Sequence, residues 1–211
     1  MTVNKYDELL NYFVSTDELR PVLQEPCLNG DYVVATDGHK AIKIPISLLE
    51  NEYKVSEKYP NLQKIIDDSL RDHKCDGIIR LADLKEVFSK FEEIDDYGIC
   101  LMCDGDGTHE CECGHRHECQ ECDGTGDGKY KIGKKFDDEG KFCIGNAIFN
   151  ANNFRPIYDI FKHFGNNHIK LLANPQFQVN VFVVGDIQII IMPCRETDDI
   201  TDISKIKVYN A

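Results

Sequence analysis

Tyr32-Val-Val-Ala-Thr-Asp-Gly-His-Lys-Ala-Ile-Lys-Ile44 is two β-prone apolar runs joined by a turn. Residues 32–36 and 40–44 read as strands. Asp37-Gly38 between them is a hairpin signal, because both central turn positions need positive φ. A second stretch is built alike: Val179–Val184 and Ile187–Ile191 flank Gly185-Asp186, which suits the companion turn type. Pro26 and Pro175 each stand eleven residues before the turn aspartate, and Pro45 and Pro193 follow the hairpins. An amphipathic helix and a strand precede each hairpin. Tyr6, Leu9, Leu10 and Phe13 fall at i, i+3, i+4 and i+7, with Asn4 as N-cap. Phe154, Ile157, Tyr158 and Phe161 repeat the pattern, with Asn152 or Asn153 as cap, Pro156 in the first turn and Gly165 as the stop. His168–Ala173 and Lys141–Phe149 read as further strands. The order helix, strand, hairpin therefore occurs twice, an internal repeat at the two ends of the chain.

The middle, residues 51–140, then reads as an insertion between residues 1–50 and 141–211. It carries a helix with Leu84, Val87, Phe88 and Phe91 on one face after Asp83, and a weaker helical pattern from Asn61 to Leu70. Within it, residues 100–126 read CLMCDGDGTHECECGHRHECQECDGTG. Cys100/Cys103 and Cys119/Cys122 form two C-x2-C pairs fifteen residues apart, the spacing of a four-thiolate zinc ribbon over residues 97–130. Each pair has the same x-Gly-x-Gly tail. The glycines let the backbone turn tightly, so that amides point back at the sulfurs. Four thiolates close a tetrahedron and leave no position for a catalytic water. Cys111, Cys113, His115 and His117 alternate, and along a strand they would share one face; they are a candidate second metal set. The competing reading is a solvated hairpin tip. One zinc is expected, and two if this set is filled.

Val34-Ala-Thr-Asp-Gly-His-Lys-Ala41 resembles the ATDGHRLA motif of bacterial DNA polymerase sliding clamps. Ile191-Met-Pro-Cys-Arg195 resembles the MPMR ending of that family, and Phe149–Phe154 resembles the segment leading a clamp strand into a clamp helix. The resemblance covers residues 1–48 and 141–195. It implies an α+β domain of two β-α-β-β-β halves, helices on one face and sheet outside, and a role in DNA replication or repair. A bacterial clamp chain has three such domains, whereas this chain has material for one. The ribbon is similar to two of the four CxxCxGxG repeats of DnaJ-type co-chaperones, which implies an alternative role as a protein-interaction adaptor.

With 37 Asp and Glu against 24 Lys and Arg, the net charge is −13, which gives no general affinity for nucleic acid or anionic membrane. Residues 100–126 hold seven acidic side chains against Arg116 alone, so the ribbon repels phosphate and suits a protein partner with a basic surface. If DNA is touched, weakly, the contacts are Arg155, Lys162 and His163, on the helical stripe that would face phosphates in a clamp; the plainer reading is a solvated face with Asp159 between the cations. No catalytic constellation emerges, so the protein is expected not to be an enzyme. Metal-spaced cysteines suit a reducing cytoplasm, and no stretch has the length and apolarity of a signal or a membrane span.

Overall fold

The computed structural model describes residues 4–111, 114–131, 133–136, 140–195 and 203–210, without the side chains of Phe161 and His163. The chain divides into two compact units, residues 1–90 with 139–211, and residues 91–138. The first unit opens with α1 (Lys5–Asn11) and strands β1 (Cys27–Asn29), β2 (Tyr32–Thr36) and β3 (Lys40–Pro45). Then α2 (Leu62–His73) runs directly into β4 (Lys74–Arg80), and β4 into α3 (Leu81–Phe88). The second unit holds β5 (Glu93–Asp96), β6 (Thr108–Glu110), β7 (Arg116–Glu118) and β8 (Gly133–Phe136). The chain returns through β9 (Lys141–Ile144), β10 (Ala147–Asn150), α4 (Ala151–Phe164) and β11 (His168–Ala173). It ends with β12 (Asn180–Val184), β13 (Ile187–Ile191), β14 (Ser204–Ile206) and β15 (Tyr209–Asn210). The described fold is α+β, with four α-helices and mostly antiparallel strands. Among the described residues no helix is long and apolar enough to cross a membrane.

Eight strands of the first unit form one antiparallel sheet in the order β1-β2-β3-β13-β12-β11-β4-β15. Its middle joins the two hairpins: β3 pairs with β13 through Lys43↔Gln188, Ile42↔Ile189, Ala41↔Ile190 and Lys40↔Ile191. A second sheet, β10-β9-β14, carries the pair's one parallel neighbour, β14 beside β9.

Both faces of the large sheet are covered. Alternate residues of a strand point to opposite faces. Val181 and Ile190 thus pack with Val34, Ala41 and the α2 residues Leu62 and Ile66. Phe182 points the other way, where its ring meets Phe154 of α4 edge to face at 5.2 Å. Phe154 also meets Phe142 at 5.2 Å and Phe149 at 5.6 Å, and all four rings are buried. Such edge-to-face pairs contribute about 0.5–1.5 kcal/mol each beyond their burial. Tyr6 of α1 stacks on Phe164 of α4 at 4.7 Å, which ties the two helices together.

Several expectations change. Residues 62–88, read as part of the insertion, belong to the first unit: β4 extends the sheet beside β11, and α2 covers a face that a clamp resemblance leaves open. The mixed sequence Lys74-Cys-Asp-Gly-Ile-Ile-Arg80 has no clean alternation, so its strand is set by its neighbour. Residues 141–149 are a hairpin turning at Gly145, not one strand. In the first hairpin the turn centres on Gly38-His39, and Asp37 precedes it, accepting from the His39 and Lys40 amides at 2.8 Å. Only Gly38 there has positive φ, so a side-chain cap replaces the second such residue. The strand expected before Pro26 is a 3-10 turn, Pro21–Leu23, and β1 comes after the proline. Asn150, not Asn152 or Asn153, caps α4 by accepting from both of their amides, so Pro156 falls in the second turn and forgoes the helical bond to the Asn152 carbonyl. The third helix, α3, ends at Phe88 without using Asp83 as a cap. Asn4 and Gly165 take the roles read for them, and Asn61, where the weak helical pattern began, is the N-cap of α2.

Asp7 is a feature that periodicity conceals. It is a buried carboxylate on α1 that accepts from the amides of Glu50 at 3.1 Å and Asn51 at 3.3 Å, and from the Tyr53 hydroxyl. It thereby fastens the segment after β3 to the first helix. Burial, aided by the bond to Asp7, pushes the Tyr53 hydroxyl well above its usual value. Asp7→Ala leaves two amides and one hydroxyl unpaired and is expected to cost about 2–3 kcal/mol. Urea unfolding of the variant checks this; a change below about 0.5 kcal/mol, the ordinary scatter of surface substitutions, contradicts it.

Candidate metal centre

In the second unit, β5 pairs with β8 and an isolated bridge joins Ile99 to Asp127, so the chain enters and leaves along an antiparallel neck. Two knuckles follow. In the first, the Gly105 amide donates to the Cys100 carbonyl at 3.2 Å and the Asp106 amide to the Cys103 carbonyl at 2.9 Å. The second repeats this with Gly124 on Cys119 at 3.1 Å and Thr125 on Cys122 at 3.0 Å. The knuckles brace each other: Cys100 donates to the Gly126 carbonyl and Cys119 to the Gly107 carbonyl, both at 2.8 Å. The approach is so close that a Cβ on Gly107 would lie 2.2 Å from the Gly124 oxygen, and one on Gly126 would lie 2.1 Å from the Gly105 oxygen. Asp104 and Asp123 take positive φ, 51° and 48°, at equivalent places. Their short side chains tolerate that conformation better than most.

This geometry brings together four of the cysteines read from spacing. The sulfurs of Cys100, Cys103, Cys119 and Cys122 all lie within 4.8 Å of one another. Cys100 and Cys119 are 3.8 Å apart, and Cys103 and Cys122 3.7 Å. A tetrahedral ion with metal–sulfur bonds of about 2.3 Å separates its ligands by about 3.8 Å. The donor set therefore fits a metal ion. As the glycine tails imply, the Gly107 amide donates to Cys103 Sγ and the Gly126 amide to Cys122 Sγ, both at 3.3 Å. Cys100, Cys103 and Cys119 are buried and Cys122 is half-buried. Burial pushes the Cys103 thiol up to about 12. For Cys122 burial acts in the same sense, but the Gly126 amide and the neighbouring thiols outweigh it and draw the thiol down to about 7. A dication entering the cluster displaces the remaining thiol protons, so its binding strengthens as pH rises.

Only part of the second candidate set falls among the described residues. Cys113 lies outside them, and Cys111 is not among the free thiols. The β6–β7 hairpin faces His109 against His117, with ring centroids 6.2 Å apart, and the Cys111 amide donates to the His115 carbonyl. Of the DNA-facing candidates in α4, Lys162 is exposed and Arg155 sits 4.0 Å from Asp159. The side chain of His163 lies outside the described ones. The sequence reading missed the aspartates at positive φ; the duplicated Cys-Asp-Gly order was the available signal.

The chain matches no protein-family model and no curated protein. Among solved structures it is similar to a DNA polymerase sliding clamp from Pseudomonas aeruginosa, at 13% identity and a TM-score of 0.47 over 92% of this chain and 64% of that one. It is similar to DNA polymerase III subunit beta from Borrelia burgdorferi at 13% identity and a TM-score of 0.47, over 92% and 63%. The beta subunit from Thermotoga maritima gives 12% and 0.47, over 91% and 64%. The chain thus spans just under two thirds of the length of these proteins.

Protein prepared without chelator is expected to hold one metal ion per chain, read by elemental analysis. Chelation or acidification should release it and open residues 97–130 to protease while the first unit still unfolds cooperatively, because the second unit has few apolar side chains to bury and a bound ion would supply its folding energy. Less than one ion per chain, or global unfolding on chelation, would overturn this.

Proposed function

We propose that this chain is a non-enzymatic, cytoplasmic, zinc-holding scaffold that works in DNA replication or repair. The first unit is a clamp-like platform of two related halves, and the second is its protein-contact module. One observation carries the reading. The two segments with the clamp resemblance, Val34–Ala41 and Ile191–Arg195, are far apart in sequence, yet the Met192 amide donates to the His39 carbonyl at 2.8 Å. The strand order supports paired halves: β1-β2-β3 and β11-β12-β13 flank the seam in mirrored order, each set preceded by a helix. Sulfur separations near 3.8 Å and an all-thiolate donor set favour zinc, and a site closed by four thiolates speaks against catalysis at the metal.

Charge shapes the contacts. Fourteen acidic against five basic residues fall within residues 91–138, so that unit repels DNA and attracts basic protein surfaces. Any DNA contact belongs to the first unit and is weak, with Arg155 and Lys162 as its cations.

The reading is tested by where the protein sits in its cell. A fluorescent fusion should gather at sites of DNA synthesis and disperse when initiation is blocked; a distribution indifferent to the block overturns the assignment. In vitro, Arg155→Ala should weaken duplex binding equally for unrelated sequences and lower the salt slope by about one unit. Fluorescence anisotropy across a salt series measures this. Tight sequence-specific binding by the isolated chain contradicts it.

A further inference from the structure

The second unit leaves large apolar side chains in solvent. Leu101 and Met102, between the two cysteines of the first knuckle, are 81% and 68% exposed, and Tyr130 on the returning chain is 77% exposed. With Tyr97 and Ile99 they line one open groove of about 550 Å³. These residues do not form the unit's core, because the thiol cluster occupies its centre. Their exposure therefore follows from how the unit is held together. An apolar surface gathered at one place on an otherwise charged unit marks an interaction site.

The surroundings say what fits. At the groove's edge Lys129 is bridged to Glu121 at 3.0 Å, so its charge is neutralised within the chain. Asp104 and Asp106 follow directly on the first knuckle, and neither is in an ion pair among the described residues. The unit that carries the groove holds fourteen acidic against five basic residues, so the field around it is negative. A second copy of this chain, with net charge −13, is repelled, and so are nucleic acid and anionic lipid.

We propose that this groove binds a segment of a partner protein in which a large apolar side chain is flanked by lysine or arginine. The proposal rests on the reading of the second unit as the protein-contact module and assigns the contact within it. The apolar anchor enters between Leu101, Met102 and Tyr130, where it is desolvated, and the flanking cations are drawn by the net negative charge of the unit. Affinity comes from the buried anchor, and the charges supply orientation and rate.

The test uses the full metal-bound chain and three fluorescein-labelled peptides: a Leu-Phe pair between lysines, the same pair between glutamates, and the lysines around a Ser-Ser pair. The first peptide should bind at least about tenfold more tightly than either of the others, a gap of about 1.4 kcal/mol. Leu101→Ser with Met102→Ser, and separately Tyr130→Ala, should weaken it by about tenfold with metal content unchanged. Val55→Ser, an exposed apolar residue of the first unit, should leave it unaltered. Equal binding of the Ser-Ser peptide, wild-type affinity in the groove variants, or no binding of the first peptide overturns the proposal. If chelation abolishes peptide binding while the groove variants keep it, the module stands and this groove does not. If the groove variants lose binding while the fusion ignores the replication block, the groove stands without the replication role.

Discussion

The first unit depends on the pairing of β3 with β13. This ladder joins hairpins nearly 150 residues apart, and with it the chain makes one eight-stranded sheet instead of a three-stranded and a five-stranded one. A lone hairpin is marginal in water, because the entropy of closing a chain must be offset by burial that two strands cannot supply. Joined, the hairpins offer a surface wide enough for α2 on one side and α4 on the other. The apolar runs of β12 and β13 are nearly continuous because both of their faces are covered.

Around that seam the packing is specific. Phe142, Phe149, Phe154 and Phe182 interlock edge to face, and α4 reaches the sheet through them. Buried polar groups then fix the connections. Asn180, fully buried, donates to the carbonyls of Pro175 and Gln178 and accepts from Asn174, which ties the segment between β11 and β12 to the start of β12. Asp7 does the same for the segment after β3.

The second unit is held by different physics. It has few apolar side chains inside, and its folding relies on four thiols converging where two backbone knuckles brace each other. The contact leaves no room for a Cβ at Gly107 or Gly126, so the x-Gly-x-Gly tails are a steric requirement as much as a conformational one. Because the thiol cluster takes the centre of this unit, Leu101, Met102 and Tyr130 remain available at the surface.

Local chemistry was legible in the sequence. The thiol pairs, the glycine turns, the cap at Asn4, the stop at Gly165 and the two long hairpins all follow from residues close together in the chain, where spacing is geometry. What depends on distant neighbours was not legible. The strand Lys74–Arg80 exists because β11 offers it an edge, α2 belongs to the sheet because Leu62 and Ile66 find Val181 and Ile190, and Asp7 is buried because three donors from residues 50–53 meet it. Pattern alone placed those residues in an insertion, since nothing in a local window records which surface a segment covers. The sequence by itself determined the two long hairpins, three of the helices and the four cysteines of the candidate metal centre, whereas the strand Lys74–Arg80, the division of the chain into units and the solvent-facing groove were decided by tertiary burial, which is a property of pairs far apart in the chain.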